Sequence, residues 1–131
     1  MKVGVAGQGA FGQKHLDGLA KIPGLEVITL AGGNPAGTEE VARKYKIPHW
    51  TSDLADSLKQ PGLEAMILAT PTGLHASQAI QCMTAGKHVQ IEIPIADTLK
   101  DSERLVNVQK ETGVVCMGGH TRRFNPSHQY V

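Results

Sequence analysis

The sequence predicts a doubly wound α/β fold, a mainly parallel sheet with helices on both faces. Three observations carry that reading. Short apolar runs rich in Val and Ile alternate with longer stretches of helical spacing, glycine or proline stands at most junctions, and a G-x-G-x-x-G pattern directly follows the first apolar run. Brief, continuously apolar runs suit strands covered on both faces. Parallel strands in turn need crossovers of helical length, which are right-handed in nearly all cases.

The elements follow in order. Strands are expected at residues 2–6, 25–31, 65–70, 88–91 and 114–117, with a minor one at 47–50. Phe11, His15 and Leu19, with Leu16 beside them, give the first helix, which Pro23-Gly24 ends. Thr38 before Glu39-Glu40 reads as the cap of the second, with negative charge in its first turn. A short helix at 54–58 precedes the Pro61-Gly62 break. Ala76, Ile80 and Met83 share a face of the helix that begins near Leu74 and closes at Ala85-Gly86. Leu99, Leu105 and Val108 mark the last helix, and Thr98 with Asp101 forms a variant of the capping box. Leu16, Leu19, Ile80 and Leu105 are expected to be core contacts without chemistry.

Composition bounds the function. In 131 residues, 40% are hydrophobic and 19% charged, a globular rather than a disordered balance. Thirteen Lys and Arg against twelve Asp and Glu leave a formal charge of +1, so no long-range basic field favours a nucleic acid. No run approaches the roughly 20 apolar residues of a membrane span. The expectation is a cytoplasmic chain that binds neither nucleic acid nor membrane. Cys82 and Cys116 read as two buried thiols in a reducing compartment rather than as a disulfide. No HExxH, CxxC or ordered Ser–His–Asp spacing points to a metal or to acyl transfer.

Gly7-Gln8-Gly9-Ala10-Phe11-Gly12 is the G-x-G-x-x-G turn. Gly7 permits the tight turn, Gly9 admits a pyrophosphate to the backbone, and Gly12 allows close helix packing. The helix start adds free amides and a positive field for phosphate. On a strand–turn–helix this is a dinucleotide-binding Rossmann signature. A P-loop is excluded because no G-x-x-x-x-G-K-[ST] occurs. A methyl-donor fold would favour an acid at the end of the second strand, where Gly32-Gly33-Asn34-Pro35 stands instead. That carboxylate normally binds the adenosine ribose and repels a 2′-phosphate. Its absence favours NADP, with NAD as the alternative. Backbone amides, Asn34 and Thr38 are the expected cradle, and Arg43 lies farther along the next helix.

With strand order 3-2-1-4-5-6, the crevice opens between the first and fourth strands. Thr70 and Pro71 are expected against the dinucleotide. His75 has two readings, a contact to phosphate or ribose and a helix-packing role. Glu92, at the end of the fifth strand, is expected at a cofactor ribose or beside a base. His120, Arg122 and Arg123, with His128 nearby, form a cluster suited to a substrate carboxylate or to a solvated loop.

Together these residues resemble the amino-terminal domain of the glucose–fructose oxidoreductase/inositol dehydrogenase family. The likeness covers essentially the whole chain, through MKVGVAGQGAFGQKHLDGL, ATPTGLH, AGKHVQIEIP and GHTRRFNP. It implies a dinucleotide-binding domain over residues 1–120 and, over 121–131, the start of a linker toward a carboxyl-terminal substrate domain. That second domain would carry the acid/base residues, beyond Val131, and would be the contact through which a complete enzyme forms a homo-oligomer. The family's E-K-P motif is Glu92-Ile93-Pro94 here, so the lysine placed near the reacting hydroxyl is absent. Within the family, QIEIP combined with GHTRRFNPSHQY resembles members that oxidise the cyclic hemiacetal of a carboxylated semialdehyde to a pyrone dicarboxylate. His120, Arg122 and Arg123 would then face the carboxylates. Sugar or cyclitol oxidation is the alternative enzyme reading, and a non-catalytic dinucleotide sensor or structural module is the alternative of another class.

Overall fold

The computed structural model describes residues 1–129. Six parallel strands form one sheet in the order β3-β2-β1-β4-β5-β6. They are β1 (Lys2–Ala6), β2 (Glu26–Ala31), β3 (His49–Thr51), β4 (Ala65–Leu68), β5 (His88–Glu92) and β6 (Cys116–Gly119). The helices are α1 (Ala10–Leu19), α2 (Pro35–Lys44), α3 (Leu54–Leu58), α4 (Thr72–Thr84) and α5 (Leu99–Thr112). A 3-10 turn (Thr121–Phe124) and a short helix, α6 (Pro126–Gln129), follow β6.

The central strands β1, β2 and β4 are largely apolar because both faces are covered. Val3, Val5, Leu30 and Ile67 pack with Leu16 and Leu19 of α1 and Val41 and Ala42 of α2. Their neighbours Ala6, Ile28, Met66 and Leu68 turn the other way, toward α3, α4 and Leu105 of α5. The period of two along β1 and β4 thus feeds two cores, and an irregularity of β2 opposite Val3 and Gly4 sends both Ile28 and Ala31 to the second. Gly4 makes room for one of them, since a Cβ there would stand 2.7 Å from Thr29 Cγ2 and collide with the Met66 sulfur.

Four expectations are corrected. Asn34, not Thr38, caps α2: Asn34 Oδ1 accepts from Gly37 N at 3.1 Å, and Pro35 fills the first helical position, where its missing N–H costs nothing. Strand β6 starts at Cys116 rather than at residue 114: Val115 O still accepts from Val89 N at 2.9 Å, but Val115 N donates to the His88 side chain at Nδ1. Strand β4 ends at Leu68, after which Ala69 and Thr70 turn into the crevice. Leu99 is 76% exposed and does not share a face with Leu105, since six residues at about 100° each place it on another side of α5. Ile80 is partly buried and packs against the core, as expected. Thr98 caps α5 as expected, its hydroxyl accepting from Asp101 N at 3.0 Å.

The cysteines are free, Cys82 buried and Cys116 half-buried. Among the described residues no helix is long and apolar enough to cross a membrane, and no cluster of His, Cys, Asp and Glu is arranged to hold a metal. The linker expected over 121–131 includes Tyr130 and Val131, which lie outside the described residues.

Candidate functional site: a glycine-lined crevice

The carboxyl ends of β1 and β4 open a cleft of about 460 Å³. Gly7, Gln8, Gly9, Gly32 and Gly33 line one side, and Thr70 and Pro71 face them. Each glycine of the turn has its own physical reason. Gly7 has φ +115°, and a Cβ on it would stand 2.7 Å from the Ala69 carbonyl carbon. A Cβ on Gly12 would collide with the Gly7 carbonyl. Gly9 has nothing within 4 Å, so its exposed backbone is open to a large anion.

The start of α1 fits that anion. Gly9 is its N-cap and offers no side chain to the first-turn amides, and no acidic residue lies in that turn. Those amides are therefore left for an external acceptor, inside the positive end of the helix dipole. Open space at Gly9 and free N–H groups are features that suit a pyrophosphate.

Beside Gly32 and Gly33, the polar side chains expected to act are largely engaged. Thr38 is fully buried and its hydroxyl donates to Asn34 O at 2.6 Å. Asn34 Oδ1 is used by its cap, and Arg43 pairs with Glu39 at 2.7 Å. Among the described residues no carboxylate lines this cleft. Ser52 and Leu54 at the start of α3, and Leu74 and Gln78 on α4, line it too and were not anticipated. Thr70 Oγ1 donates to Gln78 Oε1 at 2.6 Å, which stiffens the loop that carries Pro71.

A second hollow, about 180 Å³, adjoins Thr70 and is lined by Phe11, Thr72, His75, Glu92 and Ile93. Phe11 is exposed here rather than buried with Leu16 and Leu19. Ala10, exposed beside it, opens α1. His75 is buried, and its ring spans two carbonyls, Nε2 to Thr70 O at 2.7 Å and Nδ1 to Pro94 O at 2.8 Å. That geometry braces the β4 loop against the β5 loop, while His75 also lines the hollow. The Ile93–Pro94 peptide is cis. Glu92 is buried at the strand end and its Oε1 lies 2.7 Å from His15 Nε2. The sequence pattern placed His15 on the helix but gave no sign of this partner.

His120, Arg122 and Arg123 follow β6 in one exposed turn, and Gly119 stands opposite Glu92 in the sheet. A Cβ on Gly119 would lie 3.2 Å from Glu92 Oε1, so that glycine lets β6 end close against the carboxylate. Arg123 N donates to His120 O, whereas His128 stands apart on α6, 3.2 Å from Ser127 Oγ.

Comparison with known proteins agrees with this geometry. Residues 1–120 match the family described as an oxidoreductase family with an NAD-binding Rossmann fold. The chain is 53% identical over its whole length to a 4-carboxy-2-hydroxymuconate-6-semialdehyde dehydrogenase of Sphingobium sp. (strain NBRC 103272 / SYK-6), of which it spans 42%. It is 33% identical, over 98% of its length, to a scyllo-inositol 2-dehydrogenase (NAD(+)) of Bacillus subtilis, of which it spans 38%. Further relatives are named as inositol, D-xylose and levoglucosan dehydrogenases. Among solved structures, scyllo-inositol dehydrogenase of Lactobacillus casei with bound NAD(H) and scyllo-inositol superposes with a TM-score of 0.92, at 26% identity, over 99% of this chain and 39% of that one. The chain therefore belongs to this oxidoreductase family, the glucose–fructose oxidoreductase/inositol dehydrogenase group that its motifs resemble, as an NAD(P)-binding Rossmann domain.

Proposed function

We propose that the chain is the nucleotide-binding part of a longer, NADP-dependent dehydrogenase acting on a hydroxyl-bearing carbon of a cyclic substrate. In this reading residues 1–120 form the cofactor domain, and the segment from 121 leads to a substrate domain that supplies the acid/base groups. The observation that carries it is the open backbone at Gly9, continuous through Thr70 with the hollow that ends on Glu92.

A bound dinucleotide would accept a hydride at its nicotinamide; the protein's part is to place it. The first-turn amides of α1 hold the pyrophosphate. Thr70 and Pro71, stiffened by Gln78 and by the His75 brace, limit the path of the chain between the two halves of the cofactor. Glu92, held by His15, presents a fixed acceptor to a ribose hydroxyl. NADP is favoured because no carboxylate beside Gly32-Gly33 repels a 2′-phosphate.

Two substrate classes share this chemistry. Oxidation of a sugar or cyclitol hydroxyl has the broader support, from relatives named for inositols, xylose and levoglucosan. Oxidation of the hemiacetal of 4-carboxy-2-hydroxymuconate-6-semialdehyde to 2-pyrone-4,6-dicarboxylate is supported by the 53% identical relative and by Ile93, which replaces the lysine of the sugar-type motif. There His120, Arg122 and Arg123 would meet the two carboxylates, charges that a cyclitol lacks. Steady-state turnover by the full-length enzyme, with NADP and each substrate in turn, separates the two. Strong turnover of inositol with none of the semialdehyde supports the first class, and the reverse supports the second.

A further inference from the structure

We infer that Gln8 is the specificity-determining residue for the adenosine 2′-position, replacing the missing carboxylate with a neutral carboxamide. The inference rests on the dinucleotide reading above and deepens it. Gln8 lies inside the glycine turn, yet its side chain crosses to the end of β2. A Cβ placed on Gly32 would stand 2.9 Å from Gln8 Cδ and would collide with Gln8 Oε1 and with Thr38 Oγ1. The volume in which a side chain at residue 32 would stand is therefore filled from Gln8 and from the buried Thr38. The main chain holds the parts in register, with Gly7 N donating to Ala31 O at 2.8 Å and Gly32 N to Thr51 O at 3.0 Å.

The chemistry at that point follows from what is left free. Thr38 spends its hydroxyl proton on Asn34 O, Arg43 pairs with Glu39, and Asn34 uses Oδ1 on Gly37 N, which leaves its N–H₂ as another neutral donor nearby. The hydrogen bond at Gln8 uses its backbone carbonyl, which accepts from Gln13 Nε2 at 3.2 Å, and leaves the side-chain carboxamide for the cleft that Gln8 lines. A carboxamide carries two donor hydrogens and an acceptor oxygen. Its oxygen can accept from a ribose hydroxyl, and, turned over, its N–H₂ can donate to a phosphate. Ser52 follows Thr51 and faces the same cleft with a second neutral donor. A 2′-phosphate would thus be held by neutral donors, without a cation and without a carboxylate to repel it. The site tolerates both cofactors and ranks NADP first.

Titration calorimetry with NADP+ and NAD+ on the chain, Gln8→Glu and Gln8→Ala tests this. A carboxylate at residue 8 is expected to weaken NADP+ by about tenfold or more while NAD+ changes by less than about threefold, from like-charge repulsion. Gln8→Ala, which adds no charge, is expected to bring the two affinities together. Circular dichroism of each variant reports folding. A ratio of the two affinities unchanged in both folded variants overturns the assignment of Gln8 alone. Failure of the unsubstituted chain to bind either cofactor overturns the dinucleotide site and this inference with it.

Discussion

His15 Nε2 stands 2.7 Å from Glu92 Oε1, a hydrogen bond across 77 positions of the chain that ties α1 to the carboxyl end of β5. Strand β4 lies between β1 and β5, so the pair passes over the end of β4, where the two hollows of the crevice meet. Both side chains are largely buried, at 15% and 12% exposure. His15→Ala leaves the carboxylate without that partner, and the expected cost is about 1–3 kcal/mol of stability. Glu92→Gln keeps a hydrogen-bonding group of the same shape and is expected to cost less. Urea denaturation measures both, and a loss in His15→Ala no larger than that in Glu92→Gln would show that the pair does not hold the crevice together.

Two glycines of α1 make an internal comparison. Gly12→Ala drives a methyl into the Gly7 carbonyl, a backbone atom that cannot swing aside, so destabilisation by about 1–3 kcal/mol is expected. Gly18, on the same helix, has nothing within 4 Å, and Gly18→Ala is expected to stabilise the chain by about 0.5 kcal/mol through helix propensity. Thermal melts of the two variants should move in opposite directions. Equal shifts would mean that Gly12 is there for its flexibility and not for the close approach.

The buried thiol gives a pH dependence. Burial first, and the neighbouring Cys116 second, push Cys82 up from 9.0 to about 12. Between those values an unfolded chain releases a proton that the folded chain retains. The unfolded state then binds fewer protons, so stability is full below pH 9 and falls as pH rises toward 12. Cys82 is expected to resist a disulfide reagent at pH 8 until denaturant is added, since the thiolate is the reactive form. The decline in stability above pH 9 should be shallower in Cys82→Ala. Modification of Cys82 in the folded chain would contradict the burial account.

Strands were the most legible elements because burial on both faces leaves a contiguous apolar run, as in Ala65–Leu68, that needs no tertiary information. The glycine turn was legible because its spacing is local, although the atom that Gly7 must avoid, the Ala69 carbonyl, lies far along the chain. The cap of α2 was misread although its signal was present. Asn34 and Thr38 are both capping residues, and Pro35 decides between them. Leu99 was misplaced by counting an apolar residue without its angle on the helix. The rest was written in pairs distant in sequence. Nothing local says that His15 meets Glu92, that Gln8 reaches Gly32, or that Ser52 and Gln78 face the same cleft. Those facts come from the strand order, which brings separate loops to one end of the sheet.

The central claim, that this crevice holds a dinucleotide on the backbone of the glycine turn, is tested most directly by calorimetric titration of NADP+ into the chain and into Gly9→Val. Open space around Gly9 means that valine can be accommodated in the fold, while its side chain takes the place of the pyrophosphate. Saturable binding at one site is expected for the chain, with binding lost in a variant whose circular dichroism is unchanged. Equal affinity in the folded Gly9→Val variant would place the cofactor elsewhere and contradict the account.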